Sequence, residues 1–185
     1  MAQTPSNMIP IGTKAPDFSL FDTVSDKKRH LKDLKGRKGT VVMFICNHCP
    51  FVIHINTMLV KIAHTYEEKD ICFIAISSND VLNYPQDGPH LMKLHAKNEN
   101  YPFPYLYDET QEVAKAYDAA CTPDFFVFNK DLKLCYRGQL DDSRPGNNIP
   151  VTGTDLCNAL DCLIENKENR KNQKPSIGCN IKWKT

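Results

Sequence analysis

The stretch that most restricts this chain is Val41-Val42-Met43-Phe44-Ile45-Cys46-Asn47-His48-Cys49-Pro50. Five successive apolar residues suit a strand covered on both faces. After Pro50, apolar residues fall at Phe51, Ile55, Met58, Leu59, Ile62, Ala63 and Tyr66, which is helical spacing. Two cysteines at CxxC spacing therefore sit where a strand ends and a helix begins. The first N–H groups of a helix lack internal partners, and the helix dipole puts partial positive charge there. A thiolate at that point is stabilised, and its pKa falls from about 8.5 toward about 3.5–7.5. His48 adds a second source of positive charge beside Cys49. The first cysteine of such a pair is usually the exposed nucleophile, and the second closes the disulfide. Two other readings compete. CxxC also supplies half of a zinc site, but no second CxxC occurs. Both thiols could be inert core residues, against which the polar Asn47-His48 pair argues.

The rest of the chain extends this pattern. Ile71-Cys72-Phe73-Ile74-Ala75-Ile76 reads as a second buried strand, with Cys72 in the core, so strand, helix and strand form a right-handed βαβ unit. Before it, residues 1–15 read as an irregular arm, and residues 18–34 as a small hairpin and a short turn. Residues 77–103 form an insertion with a helix over 88–98 that carries Leu91, Leu94 and His95 along one side. Cys121-Thr122-Pro123-Asp124 precedes the apolar strand Phe125–Phe128, and Lys133–Arg137 alternates as its antiparallel partner. A final helix starts near Thr154 or Asp155, either of which suits an N-cap. His54, His64, Arg137 and Arg144 read as surface residues. The tail over 167–185 holds Cys179 and the single Trp, Trp183, so it is expected to fold back and pack.

With 185 residues, one domain over 1–185 is expected. A net charge of +1, from 23 basic and 22 acidic residues, gives no reason to invoke nucleic acid or an anionic membrane. Met1–Asn7 lacks a basic segment followed by an apolar run, so no signal peptide is expected. Eight cysteines in a chain of this length do not need a disulfide framework, and a cytoplasmic protein with mostly free thiols fits better.

The strand–CxxC–helix, the βαβ unit and a Thr-Pro ahead of a hairpin together resemble the thioredoxin fold. The N-terminal hairpin, with Ala15-Pro16-Asp17-Phe18 at its start, and the insertion resemble the alkyl-hydroperoxide-reductase/thiol-specific-antioxidant branch. Cys46-Asn47-His48-Cys49-Pro50-Phe51-Val52, Cys121-Thr122-Pro123-Asp124-Phe125-Phe126, Tyr136-Arg137-Gly138-Gln139 through Arg144-Pro145, and Pro175–Trp183 resemble bacterial thioredoxin-like proteins of that branch. The resemblance implies an α/β thioredoxin fold with a cis Thr122–Pro123 bond facing Cys46. It also implies thiol–disulfide exchange through Cys46 and Cys49, with His48, Thr122 and Pro123 beside them. The expected partners are a disulfide-bearing protein or small thiol and a redox partner protein. No organic cofactor and no resident metal are called for. There are departures. Thioredoxin has Trp and Gly-Pro where this chain has Ile45 and Asn47-His48. A His before the second cysteine resembles the disulfide-forming oxidase of the same fold. Peroxiredoxins carry Pro-x-x-x-Thr-x-x-Cys, whereas Val42 and Cys46 stand in the Pro and Thr places when Cys49 is aligned. A thiol peroxidase is thus the alternative. Cys121 and Cys179 are candidates for a third thiol, and Cys121, as a third ligand beside Cys46 and Cys49, could with His48 or Cys179 complete a soft Cys/His metal site.

Overall fold

The structure is a computed structural model that describes residues 3–185. In chain order it has β1 (Gln3–Pro5), β2 (Ser19–Asp22), β3 (Lys27–His30), α1 (Leu31–Leu34), β4 (Gly39–Phe44), α2 (Pro50–Glu67) and β5 (Ile71–Ser77). A 3-10 turn (Pro85–Asp87) precedes α3 (Pro89–Asn98), β6 (Tyr105–Tyr107), α4 (Glu112–Ala116), β7 (Cys121–Thr122) and β8 (Asp124–Asn129). The chain closes with β9 (Leu134–Gly138), α5 (Thr154–Ile164) and β10 (Ile177–Asn180).

Seven strands form the main sheet in the order β3-β2-β6-β5-β4-β8-β9. β4 runs parallel to β5 and antiparallel to β8. All six β4 residues are buried, as a strand covered on both faces requires. Its side chains alternate. Val41 and Met43 point to a core shared with Ile55, Leu59 and Ile62 of α2 and Leu156 and Leu160 of α5. Val42 and Phe44 point to a second core with Leu31, Leu34, Tyr117 and Ile181. Leu59 is completely buried, and truncating such a residue to Ala costs about 2–5 kcal/mol. The predicted hairpin is β2–β3, the predicted βαβ unit is β4-α2-β5, and β8–β9 is the predicted antiparallel pair.

Several expectations are corrected. The arm is not wholly irregular: β1 pairs with β10, Gln3 opposite Cys179. β10 in turn pairs with β7, making a small antiparallel sheet β1-β10-β7. The tail does pack, with Cys179 and Ile181 buried, but Trp183 is 39% exposed and lies under the Lys115 ammonium. The helix of the insertion turns Met92 and Ala96 inward and leaves Leu91 and Leu94 exposed. The N-cap of α5 is Gly153, at φ 70°, rather than Thr154 or Asp155. There a Cβ would lie 2.3 Å from Ile62 Cδ1, so the approach of α5 to α2 requires glycine. Cys72 is only half-buried, at the edge of a cleft lined by Leu34, Phe73 and Phe103.

Candidate active site

β4 stops at Phe44, and Cys46 follows in the loop before α2. Cys49 is the N-cap of α2, and its carbonyl accepts the N–H groups of Val52 and Ile53 at 3.0 Å each. Pro50 starts the helix, where its missing N–H leaves no bond unmade. The Thr122–Pro123 peptide is cis, as expected. Thr122 touches both sulfurs. Its Oγ1 lies 3.6 Å from Cys46 Sγ, and its carbonyl oxygen 3.1 Å from Cys49 Sγ.

The expected exposed first cysteine is not found: Cys46 is 2% exposed and Cys49 fully buried. Nor is Cys46 the more acidic thiol. Cys49 is pulled down to about 5, first by a hydrogen bond from the Cys46 thiol, against the effect of burial, with Thr122 and Cys179 also helping. Cys46 is pushed well above the ordinary thiol value, by that same bond with Cys49, then by burial and by the Asp87 carboxylate. These are two sides of one shared proton, so the pair loses its first proton easily and its second with difficulty. The Thr122 carbonyl favours the thiol form of Cys49 and so opposes its ionisation. The proton is therefore exchangeable between the two sulfurs and not fixed on Cys46.

His48 extends the site toward the insertion. Its Nδ1 lies 4.0 Å from Cys46 Sγ and 2.7 Å from Asp87 Oδ2. Its ring stacks on Tyr84 at a centroid distance of 5.8 Å. Asp87 is completely buried. It accepts the Asn47 N–H at 2.9 Å and the Asn79 side-chain amide at 2.8 Å. Asn47 is held in turn by the Gln86 carbonyl and the Tyr105 hydroxyl. Sequence reasoning did not single out Asp87, Asn79 or Tyr84, which fall in the insertion over 77–103 ahead of its predicted helix. A run of polar residues straight after a buried strand, Ser77-Ser78-Asn79-Asp80, was the available signal.

The two candidate third thiols differ. Cys121 is fully buried with its Sγ toward the Pro123 carbonyl at 3.7 Å, and burial pushes its thiol far up. Cys179 is buried in the same cluster as Cys49, opposite Thr122 in β10, and its thiol and backbone N–H help to hold the Cys49 thiol down. Among the described residues, the soft metal site expected from Cys121 with His48 or Cys179 beside the CxxC cysteines does not assemble. Among the described residues the donors that converge are Cys46, His48 and Asp87, within 4.8 Å of one another. A metal there would compete with Asn47 and Asn79 for the Asp87 oxygens.

Three supposed surface residues are tied in. Arg137 is completely buried, 3.0 Å from the equally buried Asp124 and 3.6 Å above the Phe126 ring. Arg144 donates to the carbonyls of Asp141 and Ser143 at 2.6 Å each, which fixes the loop beside Pro123. His54 is half-buried with Nε2 2.7 Å from Ser143 Oγ, whereas His64 is exposed as expected.

The model of the AhpC/TSA family matches residues 11–137, which include both cysteines of the CxxC and the cis proline. The chain belongs to the AhpC/TSA family. An uncharacterised conserved protein of Geobacillus kaustophilus is 57% identical, with a TM-score of 0.98 over 100% of this chain and 97% of that one. A hypothetical protein of Sinorhizobium meliloti 1021 is 44% identical, with a TM-score of 0.96 over 98% of this chain and 99% of that one. The thioredoxin domain of a thiol-disulfide oxidoreductase from Bacteroides vulgatus is 16% identical, with a TM-score of 0.60 over 70% of this chain and 89% of that one. At that identity the likeness is one of fold, and the fold is thioredoxin-like. None of the curated proteins compared with the chain matches it. This family member, then, has a thioredoxin-like sheet with two buried cysteines and an acid–imidazole pair at its strand end. Among the described residues no helix is long and apolar enough to cross a membrane.

Proposed function

We propose that this protein is a thiol–disulfide oxidoreductase whose redox centre is Cys46 and Cys49. The observation that carries the reading is the placement of two buried sulfurs at the N-terminus of α2, both in contact with Thr122. In the reduced form the proton passes to Cys49, whose thiol donates to the Thr122 carbonyl. Cys46, now the thiolate, faces the Thr122 hydroxyl and His48. It attacks one sulfur of a substrate disulfide, and the other substrate sulfur leaves and takes a proton. Cys49 then ionises and attacks Cys46 Sγ. The mixed disulfide breaks, the substrate leaves as a dithiol, and the Cys46–Cys49 disulfide holds the two-electron oxidation. Cis-Pro123 shapes the wall against which the substrate chain lies. The substrate is a disulfide-bearing protein or small thiol, a second thiol protein returns the electrons, and a reducing cytoplasm is the compartment.

The test is kinetic. Reduced wild type should reduce a disulfide peptide, Cys46→Ser should lose the activity, and Cys49→Ser should accumulate a mixed disulfide on Cys46. A Cys46→Ser variant that exchanges at the wild-type rate would end the reading.

The family match supports a second reading, a thiol peroxidase in which one cysteine becomes a sulfenic acid and another resolves it. Rapid peroxide consumption by the reduced protein, lost in Cys46→Ser or Cys49→Ser, separates it from exchange alone. The convergence of Cys46, His48 and Asp87 supports a third, metal-binding reading, tested by elemental analysis of protein purified without chelator.

A further inference from the structure

β7 is two residues long and leads straight into the cis Thr122–Pro123 bond. Its edge is not open. β10 pairs with it antiparallel, Cys179 opposite Thr122 and Asn180 opposite Cys121. The approach is close: a Cβ on Gly178 would lie 1.9 Å from the Thr122 carbonyl oxygen, so only glycine fits. The tail is anchored on both sides of this contact. Ser6 donates its N–H to the Ser176 carbonyl at 2.8 Å, and Lys182 donates its N–H to Asn79 Oδ1 at 2.8 Å. Asn79 is the residue that also holds Asp87. An extended peptide that adds to a sheet edge is recognised through backbone pairing of this kind. The difference is that this peptide belongs to the chain itself, and it carries a buried cysteine opposite Thr122, whose carbonyl oxygen lies 3.1 Å from Cys49 Sγ, in the same buried cluster as Cys49.

We propose that Cys179 is a third exchange thiol, held by β10 in the place of an incoming substrate strand, so that the Cys46–Cys49 disulfide interconverts with a Cys49–Cys179 disulfide. This rests on the reading of Cys46 and Cys49 as the redox pair. In the step, Cys179 gives its proton to water and its thiolate attacks Cys49 Sγ. The Cys46–Cys49 bond breaks as the Cys49–Cys179 bond forms, and Cys46 leaves as a thiolate that takes up a proton. No electrons enter or leave, so the protein remains oxidised by two electrons. The product staples the tail across β7 and frees Cys46 to attack a further disulfide with Cys49 unable to release it. Reduction of the staple leaves β10 held on β7 by its backbone pairing.

In the reduced protein burial, followed by the bond with Cys49, pushes the Cys179 thiol up. Burial persists when Cys49 is in the disulfide, so Cys179 stays mostly protonated at neutral pH and the interconversion quickens as pH rises.

The experiment is cysteine mapping of the full chain. Reduced Cys46→Ser protein is oxidised with glutathione disulfide, its free thiols are alkylated, and the digest is read by mass spectrometry. A Cys49–Cys179 peptide pair is expected, and its loss in Cys46→Ser/Cys179→Ser with Cys49 glutathionylated instead. Wild type read the same way, without any variant, should show Cys46–Cys49 with a Cys49–Cys179 fraction that appears faster at higher pH. If Cys49 stays glutathionylated in Cys46→Ser, or pairs with Cys121 while Cys179 is alkylated, the proposal is overturned and the exchange reading stands. Wild type that forms no Cys46–Cys49 bond overturns the exchange reading itself.

Discussion

The imidazole Nδ1 of His48 lies 2.7 Å from the buried Oδ2 of Asp87. The residue before the second cysteine is thereby fixed to an insertion that packs against the end of β4. The carboxylate acts on the sulfurs as well, since its charge helps to push the Cys46 thiol up. Replacing Asp87 by Asn keeps the size and removes the charge. Alkylation of the Cys46 peptide at neutral pH should then quicken several-fold, because a charge that disfavours its thiolate is gone. Slower alkylation would show that the paired His48, and not the carboxylate, governs the sulfur.

Stability should depend on redox state and pH together. Cys49 is depressed from the ordinary 9.0 to about 5, so in the folded reduced protein it holds fewer protons than in the unfolded chain between those values. That stabilisation is fully present above the ordinary thiol value and is lost as pH falls through about 5. Cys46 is raised, so it withdraws stability only as pH climbs above its ordinary value. The disulfide form has neither effect. Urea unfolding of reduced protein, relative to oxidised, should therefore show a stability gain that is greatest near the ordinary thiol value, shrinks as pH falls through about 5 and is withdrawn again at more alkaline pH. A difference independent of pH would mean that the two thiols do not share a proton in this way.

Arg137 and Asp124 should behave as a buried pair. Asp124 is pushed up to about 7 by burial, with Arg137 pulling it down, and neither side chain reaches solvent. Arg137→Leu leaves the carboxyl alone in the core and should cost about 3–5 kcal/mol in urea unfolding. Arg137→Leu/Asp124→Leu should recover much of that loss. A single variant as stable as wild type would show that the pair contributes nothing.

Gly178 should not accept a side chain. Gly178→Ala forces β10 away from the Thr122 carbonyl and should cost about 1–3 kcal/mol, as overpacking does. Limited proteolysis should then cut the tail near residues 166–175 sooner than in wild type. An equally resistant tail would mean that β10 is not held by this contact.

The fold was legible where burial alone decides it. Val41–Ile45 and Ile71–Ile76 have no polar residue that could face water, so only covered parallel strands suit them. The cis Thr122–Pro123 bond followed from the resemblance and from no periodicity. Asp87 was not legible, because its role depends on a turn far along the chain docking beside Asn47 and His48. Arg137 was misread for a similar reason. Its strand alternates like an exposed hairpin edge, but it stands opposite Phe126 with Asp124 in reach, and both come from β8. Trp183 shows the converse. Its type suggested burial, while its neighbours Ile181 and Lys182 make the packed contacts and leave the ring over the surface.

The central claim is that Cys46 and Cys49 form one reversible two-electron couple. A redox titration of the purified, metal-free protein in glutathione buffers, with alkylation and peptide mapping of every cysteine, tests it most directly. The account predicts that the Cys46–Cys49 pair forms and disappears in a single two-electron transition. Cysteines 46 and 49 that remain separately alkylated or separately glutathionylated across the whole range would contradict it.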